Sequence, residues 1–316
     1  MTIFLSLKRN FLIILSAFIV FYTIINIIFN YIILTSPKSK NKDKNYSDST
    51  MNEFIKLNNG VLMPKIGLGV YNISKSLTKK CVLDAISLGY RSIDTAQLYG
   101  NEKEVGEAVR ASSIPRNELF ITTKLWGCHG YLDAIQSIET SLNRLNIGYV
   151  DLMLIHEPRG NFIEIYRALE DYYKQGKLKS IGISNFYEED FMTLINNTKI
   201  VPQINQVETH VFFQQKTFQS FLKKYGTQIE AWSPLAAGNN NIFNNSVLVE
   251  IAKNHNKSTA QVALRFLYQQ DIIIIPKSSN IKRMKDNINI IDFELTESEM
   301  DLIRSLDTGK SLFGWY

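Results

Sequence analysis

The run YRSIDTAQLYGNE, Tyr90 to Glu102, ends an apolar, strand-like stretch on an acidic residue, Asp94, and places a tyrosine, Tyr99, five positions later. A tyrosine with an ordinary pKa of about 10 is a poor proton donor at neutral pH. Lys124 closes the run ITTK and His156 closes LMLIH, so two more polar residues stand at the ends of apolar runs. Taken singly, each has an ordinary role: a helix cap or ion pair, a packed aromatic, a lysine reaching solvent, a hydrogen-bonded core histidine. On adjoining strand ends they become a set. A lysine among apolar walls needs a carboxylate, because an isolated buried charge is costly, and Asp94 supplies one. The ammonium can then stabilise a phenolate on Tyr99. Opposite charge lowers a tyrosine pKa and burial raises it; where the charge dominates, Tyr99 becomes a general acid. His156 can donate a hydrogen bond to the same oxygen. Such a set suits giving a proton to an oxygen that is becoming an alkoxide, as happens when hydride reaches a carbonyl carbon.

No side chain supplies hydride, so a cofactor must. Ser184, Asn185 and Gln206 carry hydroxyl and amide groups able to grip a carboxamide, and Trp232 can stack on a flat ring. Lys277, Ser278 and Arg283, in IPKSSNIKRMKDN, can hold a phosphate monoester, with the arginine making forked contacts. Alone, that segment reads as a solvated, basic helix start.

The elements that would position these residues follow from the apolar rhythm. Runs such as SIDTA, LFITTKLW, VDLMLIHEP, SIGISNF, INQVETH, IEAWSP and IIIIPKS alternate with stretches of helical spacing such as LDAIQSIETSLNRLN. Repeated strand–helix units predict an α/β fold with a parallel sheet. A doubly wound nucleotide-binding sheet would want G-x-G-x-x-G after an early strand, and Gly67-Leu-Gly69 lacks the third glycine. A (β/α)₈ TIM barrel places functional residues at strand ends, where Asp94, Lys124, His156, Ser184, Asn185, Gln206 and Lys277 fall. The Asn-Asn-Gly group in FIKLNNGVLMPKIGLGV predicts a β-hairpin ahead of the barrel.

The chain has 316 residues, 45% of them hydrophobic, and a formal net charge of +5 without a dense basic stripe in the body, so nucleic acid is not expected as a partner. Two cysteines, Cys81 and Cys128, suggest no disulfide framework, and Cys128 with His129 is too few ligands for a metal site. The amino end differs in kind. After a short segment 1–10, residues 11–34 carry no charge, long enough as a helix for a bilayer of about 30 Å. They are read as a transmembrane anchor, with a cleaved signal peptide as the rival. Lys38, Lys40, Lys42 and Lys44 follow, favouring a single-pass membrane protein with a cytoplasmic body. Residues 35–52 read as a polar linker and 53–316 as the barrel.

With YRSIDTAQLYGNE, ITTKLW, DLMLIHEP, IGISNF, INQVE, AWSPL and IPKSSNIKRMKDN in this order, the chain from about Phe54 onward resembles an aldo-keto reductase. It is most similar in style to small bacterial-type members, the 2,5-diketo-gluconate reductase and prostaglandin F synthase-like enzymes. The resemblance implies a monomeric barrel that reduces aldehydes and ketones with NADPH, and Asp94, Tyr99, Lys124 and His156 as a catalytic tetrad with Tyr99 as proton donor. It also implies Ser184, Asn185 and Gln206 at the nicotinamide amide, Trp232 on its ring, and Ser233 and Leu235 along the pyrophosphate. Lys277, Ser278 and Arg283 would surround the 2′-phosphate, with Asp286 and Asn287 near adenine. Tyr71, Trp126 and His156 would wall the substrate pocket. Three departures stand out: Trp232 where many relatives have tyrosine, Glu157 where many have tryptophan, and an end at KSLFGWY shorter than in tailed relatives, which leaves the pocket more open. Some members are regulatory partners, such as potassium-channel β subunits, so an NADPH-binding module at a membrane is the alternative function.

Overall fold

The asparagines and glycine of the predicted turn do reverse the chain. In the computed structural model, which describes residues 53–314, β1 (Phe54–Lys56) and β2 (Leu62–Pro64) pair antiparallel. Gly60 has a φ of 88°, backbone that glycine adopts without a Cβ penalty. Leu57 and Met63 from this hairpin pack with Phe120, Leu152, Leu154, Ile204 and Ile273. The hairpin thus covers the end at which the sheet strands begin.

Eight parallel strands follow in chain order: β3 (Leu68–Gly69), β4 (Ser92–Asp94), β5 (Phe120–Leu125), β6 (Val150–Ile155), β7 (Leu178–Ser184), β8 (Ile204–Glu208), β9 (Gln228–Trp232) and β10 (Ile273–Ile274). The sheet curls in the manner of a TIM barrel. Its outer strands meet through parallel bridges, Ile66 with Ile274 and Gly69 with Lys277. The Gly67 N–H donates to Ile274 O at 2.9 Å and the Ile274 N–H to Lys65 O at 2.9 Å. A Cβ on Gly69 would lie 2.8 Å from Ile275 O, so this seam needs a residue without a side chain.

Helices cover the outside: α1 (Lys75–Ser87), α2 (Glu102–Ala111), α3 (Tyr131–Leu145), α4 (Phe162–Lys174), α5 (Glu188–Asn197) and α6 (Lys216–Lys223), then α7 (Ser246–His255) and α8 (Thr259–Tyr268) between β9 and β10, then α9 (Ile281–Ile288) and α10 (Glu297–Arg304). Helix α3 shows why. Ala134, Ile138, Ser141 and Leu145 recur at helical spacing and are buried, and Asn146 ends the helix at φ 48°. Helices α8 and α10 each begin with a capping box, Ser258 with Gln261 and Thr296 with Glu299.

The predicted single-pass membrane localisation, with its bilayer contact, is corrected. No helix among the described residues is long and apolar enough to cross a bilayer. The longest, α3, has 15 residues and so rises only about 22 Å, and the described helices turn their apolar faces to the sheet rather than presenting an apolar circumference. Residues 11–34, on which that expectation rested, lie outside the described residues.

Close helix packing yields a first prediction. A Cβ on Gly106 in α2 would lie 1.9 Å from Leu145 O at the end of α3. Alanine in a helix gains about 1 kcal/mol over glycine. Here the obstruction is backbone, which cannot rotate away, so Gly106→Ala should destabilise by about 1–3 kcal/mol or more, read as a lower urea midpoint at unchanged m-value.

Candidate active site

Strand direction places the polar residues at one end of the sheet. Asp94 is the last residue of β4, Lys124 the penultimate residue of β5, His156 follows β6, and Ser184 and Trp232 end β7 and β9. Tyr99 lies in a single 3₁₀ turn, Gln97–Tyr99, that leaves β4. Gln97 anchors this turn: it accepts from the Trp126 N–H at 2.9 Å and from Ser137 Oγ at 2.9 Å, and donates to Ser141 Oγ at 2.8 Å.

Lys124 has no solvent exposure, and its ammonium has three acceptors for three hydrogens: Asp94 Oδ1 at 2.5 Å, Thr95 O at 3.1 Å and Tyr99 Oη at 3.1 Å. In the last contact the phenol oxygen accepts, so the phenol's own hydrogen is not spent on it. Burial opposes the lysine charge, yet the contacts with Asp94 and Tyr99 outweigh it and hold the ammonium pKa above its ordinary value.

Tyr99 shows which of the two opposing effects prevails. Burial pushes its phenol up to about 12 despite the ammonium beside it. The sequence left open that charge would dominate; in the folded chain, desolvation does. Tyr99 is therefore protonated throughout the physiological range, with Lys124 offsetting part of the cost of its ionisation. His156 behaves in the opposite sense: burial, helped by Lys124, lowers it to about 3, so its ring is neutral and holds a single N–H. Its Nδ1 is buried without a partner.

Four rings form one wall. Tyr71 lies 4.9 Å from Tyr99, Tyr99 lies 5.9 Å from His156, and His156 lies 5.1 Å from Trp126, between ring centroids. Glu157, which could have placed charge in the pocket, is ion-paired with Arg159, whose guanidinium stands 5.9 Å from the Trp126 ring. Ser311 to Phe313 pack against the ends of β8 and β9. Ser311 Oγ donates to Glu208 Oε2 at 2.6 Å and the Leu312 N–H to Glu208 Oε1 at 2.8 Å, which brings Phe313 to 5.2 Å from the Trp232 ring.

The amide residues form a second cluster. Asn185, at φ 64°, donates to His156 O at 3.1 Å and to Ser184 Oγ at 3.2 Å, and accepts from Trp232 Nε1 at 2.8 Å. Gln206 donates to Asp94 Oδ2 at 2.9 Å and to Glu230 Oε2 at 2.8 Å. With both amide hydrogens committed, its carbonyl oxygen is the part that can serve a ligand. Ser233 and Leu235 follow Trp232 on the loop leaving β9, both half-buried. Lys277 and Ser278 follow β10, and Arg283, Asp286 and Asn287 lie on α9; Lys277, Arg283 and Asp286 are exposed, Ser278 and Asn287 buried. Asn280 caps α9 by accepting from the Lys282 and Arg283 N–H groups, so Arg283 lies in the first turn of a helix whose N-terminal end favours anions. An anchored indole, an unpartnered imidazole nitrogen and exposed cations at a helix start together fit a phosphorylated dinucleotide.

The matching family model is "Aldo/keto reductase family", over residues 65–308. The chain belongs to the aldo/keto reductase family. It is 44% identical over 264 residues to the 9,11-endoperoxide prostaglandin H2 reductase of Trypanosoma cruzi, covering 82% of this chain and 93% of that one. It is 43% identical over 262 residues to the glyoxal reductase of Bacillus subtilis, covering 82% and 94%. Among solved structures, an aldo-keto reductase from a deep-sea metagenome library of the Medee basin matches with a TM-score of 0.80 at 44% identity, covering 82% of this chain and 97% of that one. This aldo/keto reductase is an oxidoreductase acting on carbonyl compounds, and its cofactor is NADP(H), which solved relatives hold as NADP or NADPH. The named relatives are reductases, which favours the enzyme over the regulatory module.

Sequence reasoning passed over two residues here. Glu230 lies within IEAWSP, and the signal was an acidic residue at an inward position of an apolar strand. Glu208 lies within INQVETH, and its partners in the tail, Ser311 and Leu312, show only in the fold.

Proposed function

We propose that this enzyme reduces aldehydes and ketones to alcohols with NADPH, Tyr99 giving the proton. The observation that carries this reading is the complete use of the Lys124 hydrogens, one of them on the phenol oxygen. NADPH, when bound, would supply the hydride for the carbonyl carbon. As negative charge grows on the carbonyl oxygen, Tyr99 donates its proton there, and Lys124 stabilises the phenolate left behind. Asp94 keeps the ammonium in place, and the neutral His156 ring offers its N–H to the same oxygen. Because Tyr99 titrates at about 12 and His156 at about 3, neither changes state at neutral pH. The wall of Tyr71, Trp126 and His156 suits carbonyl groups on apolar or small frames, and the likeness to a glyoxal reductase supports small aldehydes.

Ser184, Asn185 and Gln206 would hold the nicotinamide amide, Trp232 its ring, and Ser233 and Leu235 the pyrophosphate. Lys277, Ser278 and Arg283 would hold the 2′-phosphate, with Asp286 and Asn287 near adenine. The purified full chain should oxidise NADPH when given a panel of aldehydes, and do so in preference to NADH. In Arg283→Ala the KM for NADPH should rise about 10- to 100-fold, the range expected for losing a charge-assisted contact, while the KM for NADH stays put. Equal use of the two cofactors by the wild type would refute the phosphate-site assignment.

A further inference from the structure

Glu230 is fully buried on β9, and its side chain turns into the barrel one position before Ala231 and two before the mouth residue Trp232. Its Oε2 accepts from Gln206 at 2.8 Å, and its Oε1 has no partner. The same Gln206 nitrogen donates to Asp94 Oδ2 at 2.9 Å, and Asp94 Oδ1 takes the Lys124 ammonium. One unbroken buried chain therefore runs Glu230, Gln206, Asp94, Lys124, Tyr99. The two ends of a carboxamide are nearly the same size, so sterics alone do not choose which faces inward. Two acceptor oxygens facing one amide do choose: the Asp94 carboxylate demands the NH₂ end, Glu230 Oε2 accepts from the same nitrogen, and the carbonyl oxygen must face the other way.

We propose that Glu230 is a positioning residue that fixes the amide orientation of Gln206 and, once ionised, adds its charge to the Asp94–Lys124–Tyr99 chain. The proposal rests on the reading of Gln206 as a nicotinamide contact. The charged groups facing Glu230 are Asp94 from β4 and Lys124 from β5. Gln206 faces it from β8, and its register partner on β10 is the apolar Ile273. Burial, reinforced by Asp94 and opposed by Gln206 and Lys124, raises its carboxyl to about 8. Above that pH it is an anion that disfavours a phenolate on Tyr99.

Two variants separate orientation from charge. Glu230→Leu removes both; Glu230→Gln keeps a carbonyl acceptor and removes the charge. In Glu230→Leu, the NADPH dissociation constant from tryptophan quenching should rise about tenfold or more, and kcat should fall more than the carbonyl KM changes. In Glu230→Gln the affinity loss should be smaller, but the alkaline limb of the kcat/KM profile should move to lower pH by roughly one unit. A Glu230→Leu protein with wild-type affinity, kcat and pH profile overturns the proposal. Should that variant not fold, an unchanged profile in Glu230→Gln overturns it. If the wild type turns over no carbonyl, the reductase reading fails by itself, and NADPH titration of the two variants still decides the role of Glu230.

Discussion

Replacing Tyr99 with phenylalanine should lower kcat for carbonyl reduction by about 10²–10⁴-fold, the contribution of a positioned general acid, with little change in NADPH affinity. The substitution removes one oxygen. The ring that packs 4.9 Å from Tyr71 and 5.9 Å from His156 remains, so the aromatic wall should survive. No neighbour can take over the proton. The His156 ring, lowered to about 3, carries no spare proton at neutral pH. The Lys124 ammonium holds its protons more tightly than an ordinary lysine because Asp94 and Tyr99 oppose the cost of burial. Single-turnover rates measured at saturating NADPH and aldehyde check this directly. A variant within about threefold of the wild type would remove Tyr99 from the mechanism.

The Lys124→Met variant should lose both activity and stability. Activity falls because the phenolate loses its cation. Stability falls because Asp94, 2% exposed, becomes a buried charge without its counter-ion, a change that costs about 3–5 kcal/mol. Methionine fills much of the lysine volume, so the loss would be electrostatic rather than a cavity effect. Pairing it with Asp94→Asn distinguishes these causes. A neutral pair in place of a buried ion pair is often close to neutral in stability, so the double variant should regain most of the lost urea midpoint while remaining inactive. If the double variant is as unstable as Lys124→Met, packing rather than charge is what Lys124 provides.

The two predictions lean on different kinds of information. That Asp94, Lys124 and His156 belong together, with Tyr99 just beyond Asp94, could be read from apolar runs that end on polar residues, because strand direction in a parallel sheet sends all such ends to one side. The direction of the Tyr99 pKa could not be read in that way. It depends on how deep the phenol lies against how close the ammonium comes, and that approach joins residues 25 apart in sequence. Burial prevails, so the tyrosine works as a well-protonated donor rather than a strongly acidified one. The contacts of the tail were hidden for a related reason. One buried carboxylate, Glu208, draws Ser311 and Leu312 in and sets Phe313 beside Trp232. The apolar stretch 11–34 invited a membrane assignment from length and composition alone, and no described helix supports it.

By itself, the sequence determined the alternation of strand and helix, the hairpin at Asn58–Gly60, the buried stripe of α3 and the roster of polar strand ends. Each of these follows from local rules: turn chemistry, a period of two or 3.6, and a cap within a few residues. Only the tertiary structure decided that Gln206 stands between Asp94 and Glu230, that burial outweighs charge at Tyr99, and that the tail meets Trp232. The reason is physical. Hydrogen-bond partners and desolvation are properties of distance and depth, and curling the sheet into a ring sets both by bringing together residues more than a hundred positions apart.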